Sequence, residues 1–310
     1  VWNRPERGLE ALRRLVWQEV LVLARLSLAV MWLLRLLPLA VLARLGEAFG
    51  LLLYALAGER RRVCLVNLAR CFPDLSAAQR RALARRHFCV LARSILERGL
   101  LWWSRRERIE ALIRIEGREH IERERGQPLI LLAPHFVGLD AAWSRLACDY
   151  DMASIYANQK SALFNRVMRE GRLRFGSQRL YSRQEGVRGA AAALRERRPL
   201  YYLPDMDYGS RDAIFVPFFG VPAATITALP RLAKLAGAKV LPCVARMLPG
   251  GEGYALRCYP AWDNYPGEDI EADTRRMNAF IEERVREMPE QYYWTHKRFK
   301  TRPDGESRWY

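Results

Sequence analysis

The chain has 310 residues, enough for one large domain or two ordinary ones with a sizeable buried core. Half of it is apolar and 27% is charged, which excludes a disordered chain. Fifty-one Lys and Arg against 34 Asp and Glu give a formal charge of +17, which points to negatively charged partners: an anionic membrane, a phosphorylated lipid, nucleic acid or an acidic protein. Only five of the 51 cations are lysines. The arginine excess reflects either a GC-rich genome or a preference for guanidinium forks that grip phosphate and carboxylate. Six cysteines (Cys64, Cys71, Cys89, Cys148, Cys243, Cys258) lie scattered in apolar or helical contexts, with no C-x-x-C spacing. They read as buried free thiols of a reducing compartment, neither a zinc site nor a disulfide framework.

From Val20 to Leu56 the chain is dominated by Leu, Val, Ala and aromatic residues, interrupted by Arg25, Arg35, Arg44 and Glu47. No uncharged run reaches the roughly 18 residues of a plain spanning helix. Three readings fit: a helix inserted in the bilayer with snorkelling arginines, an amphipathic anchor at the interface, or a buried helical hairpin turned near Pro38. The Glu59-Arg60-Arg61-Arg62 cluster that follows suits anionic head groups on a cytoplasmic face. Ser76-Ala77-Ala78-Gln79 is a capping box opening a long helix. That helix sets Leu83, Phe88, Leu91 and Ile95 to one side and spreads Arg80, Arg81, Arg85, Arg86 and Arg93 over the rest, as a solvated face or a binding surface.

Past Leu112 short apolar runs alternate with helical stretches. Leu129–Ala133, Ala153–Tyr156, Leu200–Leu203 and Lys239–Val244 read as strands. Gly138–Ala147, Ser161–Arg174, Glu185–Arg197, Ile226–Ala236 and Glu271–Met288 read as helices. The pattern predicts an α/β fold, a mixed sheet flanked by helices. Residues 1–58 form the expected membrane-anchoring segment. Residues 59–310 form the catalytic domain, with a helical lead-in over 59–111 and an α/β core over 112–300.

Chemistry is expected at the end of the strand Leu129–Ala133. There Pro134-His135 leads through Gly138, read as a sharp turn, to Asp140 in the first turn of the next helix. Ligands bind at the carboxyl ends of strands in open α/β sheets, so His135 stands where a functional residue would. A carboxylate beside an imidazole fixes its tautomer and stabilises the cation formed when it takes a proton. A lone His near an Asp also arises by chance. His87, His120 and His296 have no comparable setting, and no rival catalytic motif is present. A base without a protein nucleophile implies direct attack by a substrate hydroxyl.

The His135–Asp140 spacing resembles the H-x4-D signature of the lysophospholipid-acyltransferase superfamily, and five further blocks resemble its bacterial lipid A late acyltransferase branch. These are Asn67-Leu68-Ala69-Arg70-Cys71-Phe72-Pro73, Gly171-Arg172-Leu173-Arg174, Leu203-Pro204-Asp205-Met206-Asp207, Phe215-Val216-Pro217-Phe218-Phe219-Gly220 and the ending Gln291–Pro303. Met206 departs from the Gln usual in that branch. The Glu-Gly-Thr-Arg block of the glycerolipid branch is missing. The resemblance implies transfer of a fatty acyl group from acyl-carrier protein or acyl-coenzyme A to a hydroxyl of a lipid A precursor in lipopolysaccharide biosynthesis. It also implies a glycerolipid-acyltransferase-like fold at the cytoplasmic face of a bacterial inner membrane, with no cofactor. No metal ligand set and no nucleic-acid motif is visible in the sequence, so neither a metal nor nucleic acid is expected. His135 would be the base and Asp140 its orienter, with Arg172, Arg174, Asp205 and Asp207 on the substrate side. Thr225 is read as the cap of the following helix. Phe218, Phe219, Trp102 and Trp103 are candidates for an acyl groove, with core packing as the alternative. Two further readings stand beside this one: a transferase for another glycolipid or glycerolipid, and a non-catalytic basic membrane- or nucleic-acid-binding protein.

Overall fold

The computed structural model describes residues 22–185 and 187–310. The first 21 residues of the expected anchor lie outside the described residues. Two helices open the described chain, α1 (Val22–Leu34) and α2 (Leu39–Leu56). Pro38 stands just before α2, where its missing amide takes nothing from the helix. Then come α3 (Gly58–Cys71), α4 (Ala77–Leu96), α5 (Arg98–Trp103) and α6 (Arg106–Leu112). The capping box on α4 is present: the Gln79 amide donates to Ser76 Oγ at 3.2 Å and the Ser76 amide to Gln79 Oε1 at 2.7 Å.

Gly46 and Gly50, one turn apart on α2, let its backbone lie directly against α4. A Cβ built on Gly50 would stand 2.4 Å from Cys89 Cα, and one on Gly46 2.7 Å from Arg93 Cα. The opposite side of α2 keeps Val41, Leu45, Leu52 and Leu56 exposed. Arg93, which the pattern assigns to a solvated face or a binding surface, is instead buried. Its Nε donates to Glu97 Oε1 at 3.2 Å, and the Tyr254 hydroxyl donates to the other Glu97 oxygen, so α4 is tied to the sheet through charge. Burial raises the Glu97 carboxyl, against the opposing pull of Arg93.

The sheet has seven strands in the order β1-β9-β8-β2-β5-β3-β4. They are β1 (Ile113–Glu116), β2 (Leu129–Leu132), β3 (Ala153–Tyr156), β4 (Arg179–Ser182), β5 (Leu200–Tyr202), β8 (Lys239–Met247) and β9 (Tyr254–Cys258). Only the β8–β9 pair is antiparallel, so the fold is α/β with a mixed sheet, as the alternation predicts. Short α7 (Arg118–Arg123) follows β1. Helices α8 (Leu139–Asp149) and α9 (Ala162–Leu173) cover one face with α6. Helices α10 (Val187–Arg195), α11 (Ala228–Ala236) and α12 (Ile270–Glu287) cover the other, with parts of α3 and α4.

Strands β1 and β4 escape the sequence reading because both are sheet edges carrying charge: Arg114 and Glu116 in one, Arg179 in the other. A separate hairpin, β6 (Ala213–Phe218) and β7 (Val221–Ile226), accounts for the Phe215–Gly220 block. Its two-residue turn puts Phe219 and Gly220 at φ of 53° and 72°, the left-handed pair such tight turns require. Thr225 is therefore a strand residue and not a helix cap. Its hydroxyl donates to Ala223 O at 3.0 Å, and α11 begins three residues later. The run over residues 221–229 crosses from strand to helix with no Gly, Asn or Asp to mark the boundary.

The α2–α4 contact yields a direct test. Gly50→Leu must push apart two backbones that no rotamer change can relieve, an overpacking that typically costs about 1–3 kcal/mol. The thermal midpoint in detergent should fall by several degrees, whereas Leu52→Ala on the exposed side should leave it nearly unchanged. Equal midpoints for both variants would contradict the packing.

Candidate active site

Strand β2 is buried along its whole length between β8 and β5. Beyond Ala133 the chain enters a loop at the carboxyl edge of the sheet, pinned by the segment after α12. The Val137 amide donates to Gln291 O at 2.9 Å and the Tyr293 amide to His135 O at 3.0 Å. Gln291 is itself seated on β8: its Nε2 donates to Met247 O at 2.9 Å and its Oε1 accepts from the Met247 amide at 2.8 Å. His87 of α4 bonds Glu290 O through Nδ1 at 2.9 Å, and Asn67 of α3 donates to Trp294 O and His296 O, each at 2.8 Å. The Asn67–Pro73 and Gln291–Pro303 blocks thus meet, and together they support the loop that carries His135.

Asp205 leaves the carboxyl end of β5, the strand beside β2. Its Oδ1 lies 2.7 Å from His135 Nδ1, and its Oδ2 accepts the His135 backbone amide at 2.9 Å. Burial works to raise this carboxyl. The His135 charge and two hydrogen bonds, with Arg298 behind them, bring it below the usual carboxylate range. In the neutral form of the ring, the contact with ionised Asp205 places the proton on Nδ1 and leaves the lone pair on Nε2. The ring borders a cleft of about 1330 Å³.

Asp140, in the first turn of α8, borders the same cleft but meets different partners. Its Oδ1 accepts from Arg172 Nε at 3.0 Å and Nη2 at 2.5 Å, and its Oδ2 lies 3.4 Å from Arg98 Nε. Burial again works upward, but Arg172, Arg98 and the nearby His135 hold the Asp140 carboxyl below its ordinary value. One carboxylate between two guanidiniums leaves a net charge of +1 beside the imidazole.

The sequence profile of the bacterial lipid A biosynthesis acyltransferases matches residues 14–301. The chain belongs to this family. It is 33% identical over 283 residues to the lipid A biosynthesis lauroyltransferase of Escherichia coli K12, covering 90% of this chain and 92% of the relative. The palmitoleoyltransferase of the same organism is 31% identical over 287 residues, with 92% and 93% covered. Its myristoyltransferase is 33% identical over 269 residues, with 86% and 82% covered. A solved structure, the 1-acyl-sn-glycerophosphate acyltransferase of Thermotoga maritima, aligns at 16% identity and a TM-score of 0.39 over 80% of this chain and 97% of that one.

Within this acyltransferase the expected partner of His135 is displaced. The spacing makes Asp140 the expected orienter; in the structure both its oxygens are engaged by arginines, and Asp205 holds the ring. The five-residue step from His135 carries Asp140 onto α8, which faces α9 and α5, whereas β5 lies directly beside β2. Arg172 is in the cleft as expected. Arg174 is not among the cleft residues; it packs over the Phe175 ring at 4.0 Å, because two helical positions turn it about 200° from Arg172. Burial lowers its guanidinium to about 10. Asp207 is likewise away from the cleft. Its carboxylate accepts from the Gly209 amide (2.9 Å), the Thr301 amide (2.6 Å) and the Thr301 hydroxyl (2.8 Å), closing a loop against the tail.

Met206 does border the cleft. Phe218, Phe219, Trp102 and Trp103 do not; Phe218 is buried against Tyr292 and Phe299, and Trp102 against Phe164. The apolar wall comes instead from Leu91, Ile95, Trp143, Phe164 and Met168. Gly138 has an ordinary φ of −83°, so no turn demands it; a Cβ there would stand 3.0 Å from Ala245 Cβ. The sequence reading missed Arg98, one arginine among many, and the supports His87 and Arg298. The Arg298 guanidinium donates to Ala224 O and Thr225 Oγ1, each at 2.9 Å.

Two histidines around the His135 loop titrate: His87, and His296, whose Nε2 accepts the Asp207 amide at 3.1 Å. Burial lowers His87 and His296 from 6.5 to about 4 each, so both are neutral in the fold at neutral pH. The unfolded chain takes up their protons first, so stability complete above about pH 6.5 is lost as pH falls toward 4. The thermal midpoint should be level above pH 6.5 and drop across that window. His87→Gln should flatten the drop, and an unchanged slope would remove His87 as its source.

Proposed function

We propose that this chain transfers a fatty acyl group from a thioester donor, acyl-carrier protein or acyl-coenzyme A, to a hydroxyl of a lipid A precursor in lipopolysaccharide biosynthesis. The supporting observation is His135, buttressed at Nδ1 by Asp205 and bordering an apolar-walled cleft beside two arginines. Nε2 takes the proton of the acceptor hydroxyl as its oxygen attacks the thioester carbonyl, and the thiol leaves with a proton returned from the imidazolium. The net positive charge of Arg98, Asp140 and Arg172 stabilises the oxyanion formed between these steps. The two cleft serines support direct attack, since both bond backbone: Ser94 Oγ donates to Leu91 O at 2.7 Å and Ser154 Oγ to Tyr201 O at 2.8 Å.

His135→Ala should abolish transfer from a thioester donor to a lipid A precursor. Asp205→Asn should lower kcat by about 10²–10⁴ with a smaller change in donor KM, as loss of an imidazole-orienting carboxylate does. Asp140→Asn should act chiefly on the oxyanion and on the seating of Arg98 and Arg172. Full turnover in Asp205→Asn with none in Asp140→Asn would return the orienting role to Asp140. Mass spectrometry of lipids from cells lacking the gene separates a lipid A acceptor from another glycolipid or a glycerolipid.

The same reading places the protein on the cytoplasmic face of a bacterial inner membrane, with α1 and α2 in the lipid surface. Leu23, Leu26 and Leu33 of α1 and Val41, Leu45, Leu52 and Leu56 of α2 are exposed, an apolar area beyond what a soluble surface usually carries. Arg61 and Arg85 lie over the Tyr54 ring at 5.4 and 5.6 Å, where guanidiniums can reach phosphate. α2 lies along α4, whose Arg81, Arg85 and Arg86 are exposed, which favours a helix resting in the interface over one wrapped by lipid. Replacing Leu45, Leu52 and Leu56 with Ser, rather than deleting a helix that α4 packs against, should move the folded protein from the membrane to the soluble fraction. Retention on the membrane would assign the anchor elsewhere.

A further inference from the structure

The lining of the cleft extends well away from α4 and α5, to a rim that serves here as a second mouth. It is formed by the loop after β4, the loop after β5 and α11, and three exposed arginines stand on it: Arg183, Arg211 and Arg231. Arg183 lies over the Tyr208 ring at 4.2 Å, a contact that positions the guanidinium without neutralising it. Arg211 has Asp212 at 3.8 Å, with its side chain 97% exposed. Arg231 makes no side-chain ion pair or hydrogen bond with any described residue. Of the carboxylates nearby, Asp212 faces Arg211, and Glu185 accepts the Ser182 hydroxyl at 2.6 Å. The mouth therefore carries three guanidiniums against two carboxylates, and of the three only Arg211 has a carboxylate partner among the described residues. Arg98 and Arg172 on the other wall already share Asp140.

The two walls differ in what they are fixed to. Helix α5 abuts α1 so closely that a Cβ on Gly99 would lie 2.2 Å from Met31 O, and α4 lies along α2. A reactant held in lipid reaches His135 past α4 and α5. The mouth between α10 and α11 is left to a reactant from solution. Every thioester donor of fatty acyl groups built on phosphopantetheine carries a phosphate at the end of its arm remote from the sulfur. Guanidinium forks bind such oxygens through paired, charge-assisted hydrogen bonds. Exposed Val187 and Leu235 also border this mouth and offer apolar surface to the arm below the phosphate.

We propose that Arg183, Arg211 and Arg231 form the donor port of this acyltransferase, binding the phosphate of the phosphopantetheine arm so that the thioester reaches His135 from the side opposite the lipid. The port rests on the acyl-transfer reading above. Both acyl-carrier protein and acyl-coenzyme A carry the phosphate, and an acidic carrier surface would add to the attraction.

The test compares the full-length protein in mixed micelles with its R183E/R211E/R231E variant. An R125E control lies beyond α7, at the amino end of β2. Each is assayed with a fatty acyl-carrier protein and with the matching acyl-coenzyme A. In the triple variant donor KM should rise about tenfold or more, and the salt dependence of kcat/KM should weaken. The kcat at saturating donor and the acceptor KM should stay near wild type, and R125E should match wild type throughout. A rise for both donors assigns the phosphate as the ligand; a larger rise for the carrier adds its acidic surface to the same port. Unchanged donor KM, or a rise in acceptor KM instead, overturns the port and leaves the acyl-transfer reading standing. Absence of transfer by wild type from either donor fails that reading itself, and the port falls with it.

Discussion

The buried carboxylate of Asp205 fixes the candidate site. One oxygen takes the His135 ring and the other takes the His135 amide, so ring orientation and loop position are set by the same group. A carboxylate buried without partners would instead draw a proton and lose both contacts. Much of the surrounding architecture serves this contact. β5 pairs with β2 in parallel, so their carboxyl ends emerge side by side. Arg298 contributes positive charge from behind, and the tail that carries it closes the loop from the other side.

The α/β alternation and the strand ending at His135 were legible because each rests on local pattern: an apolar run, then Pro, then a helical period. β3 matches the sequence reading to the residue, and α8, α9 and α12 match within a residue or two at each end. What was not legible depends on neighbours distant in sequence. Asp205 is 70 residues from His135 and meets it only through sheet order, so its block could be recognised while its partner could not. Asp140 is near in sequence, yet its carboxylate meets Arg98 and Arg172 and not the His135 ring. Edge strands β1 and β4 follow no apolar run because only one side of each meets the core.

Arginine carried the least legible information. In sequence Arg81, Arg93, Arg172 and Arg183 are alike. In the fold one is exposed on α4, one is buried against Glu97, one grips Asp140 and one stands over Tyr208. A composition of +17 therefore describes several unrelated uses of the same group. The uncommitted guanidiniums, rather than the total, are the ones available to a partner.

The seating of the His135 loop on residues 291–293 also sets an order of events during synthesis. Synthesis delivers α1 and α2 before the seven strands of the sheet, and Gln291 only after α12. Under the membrane placement proposed above, the apolar helices are available to the bilayer while the imidazole still lacks its final support. The membrane placement proposed for α1 and α2 and the role proposed for His135 would together couple maturation to location: the nascent chain would reach the membrane before its imidazole gained full support.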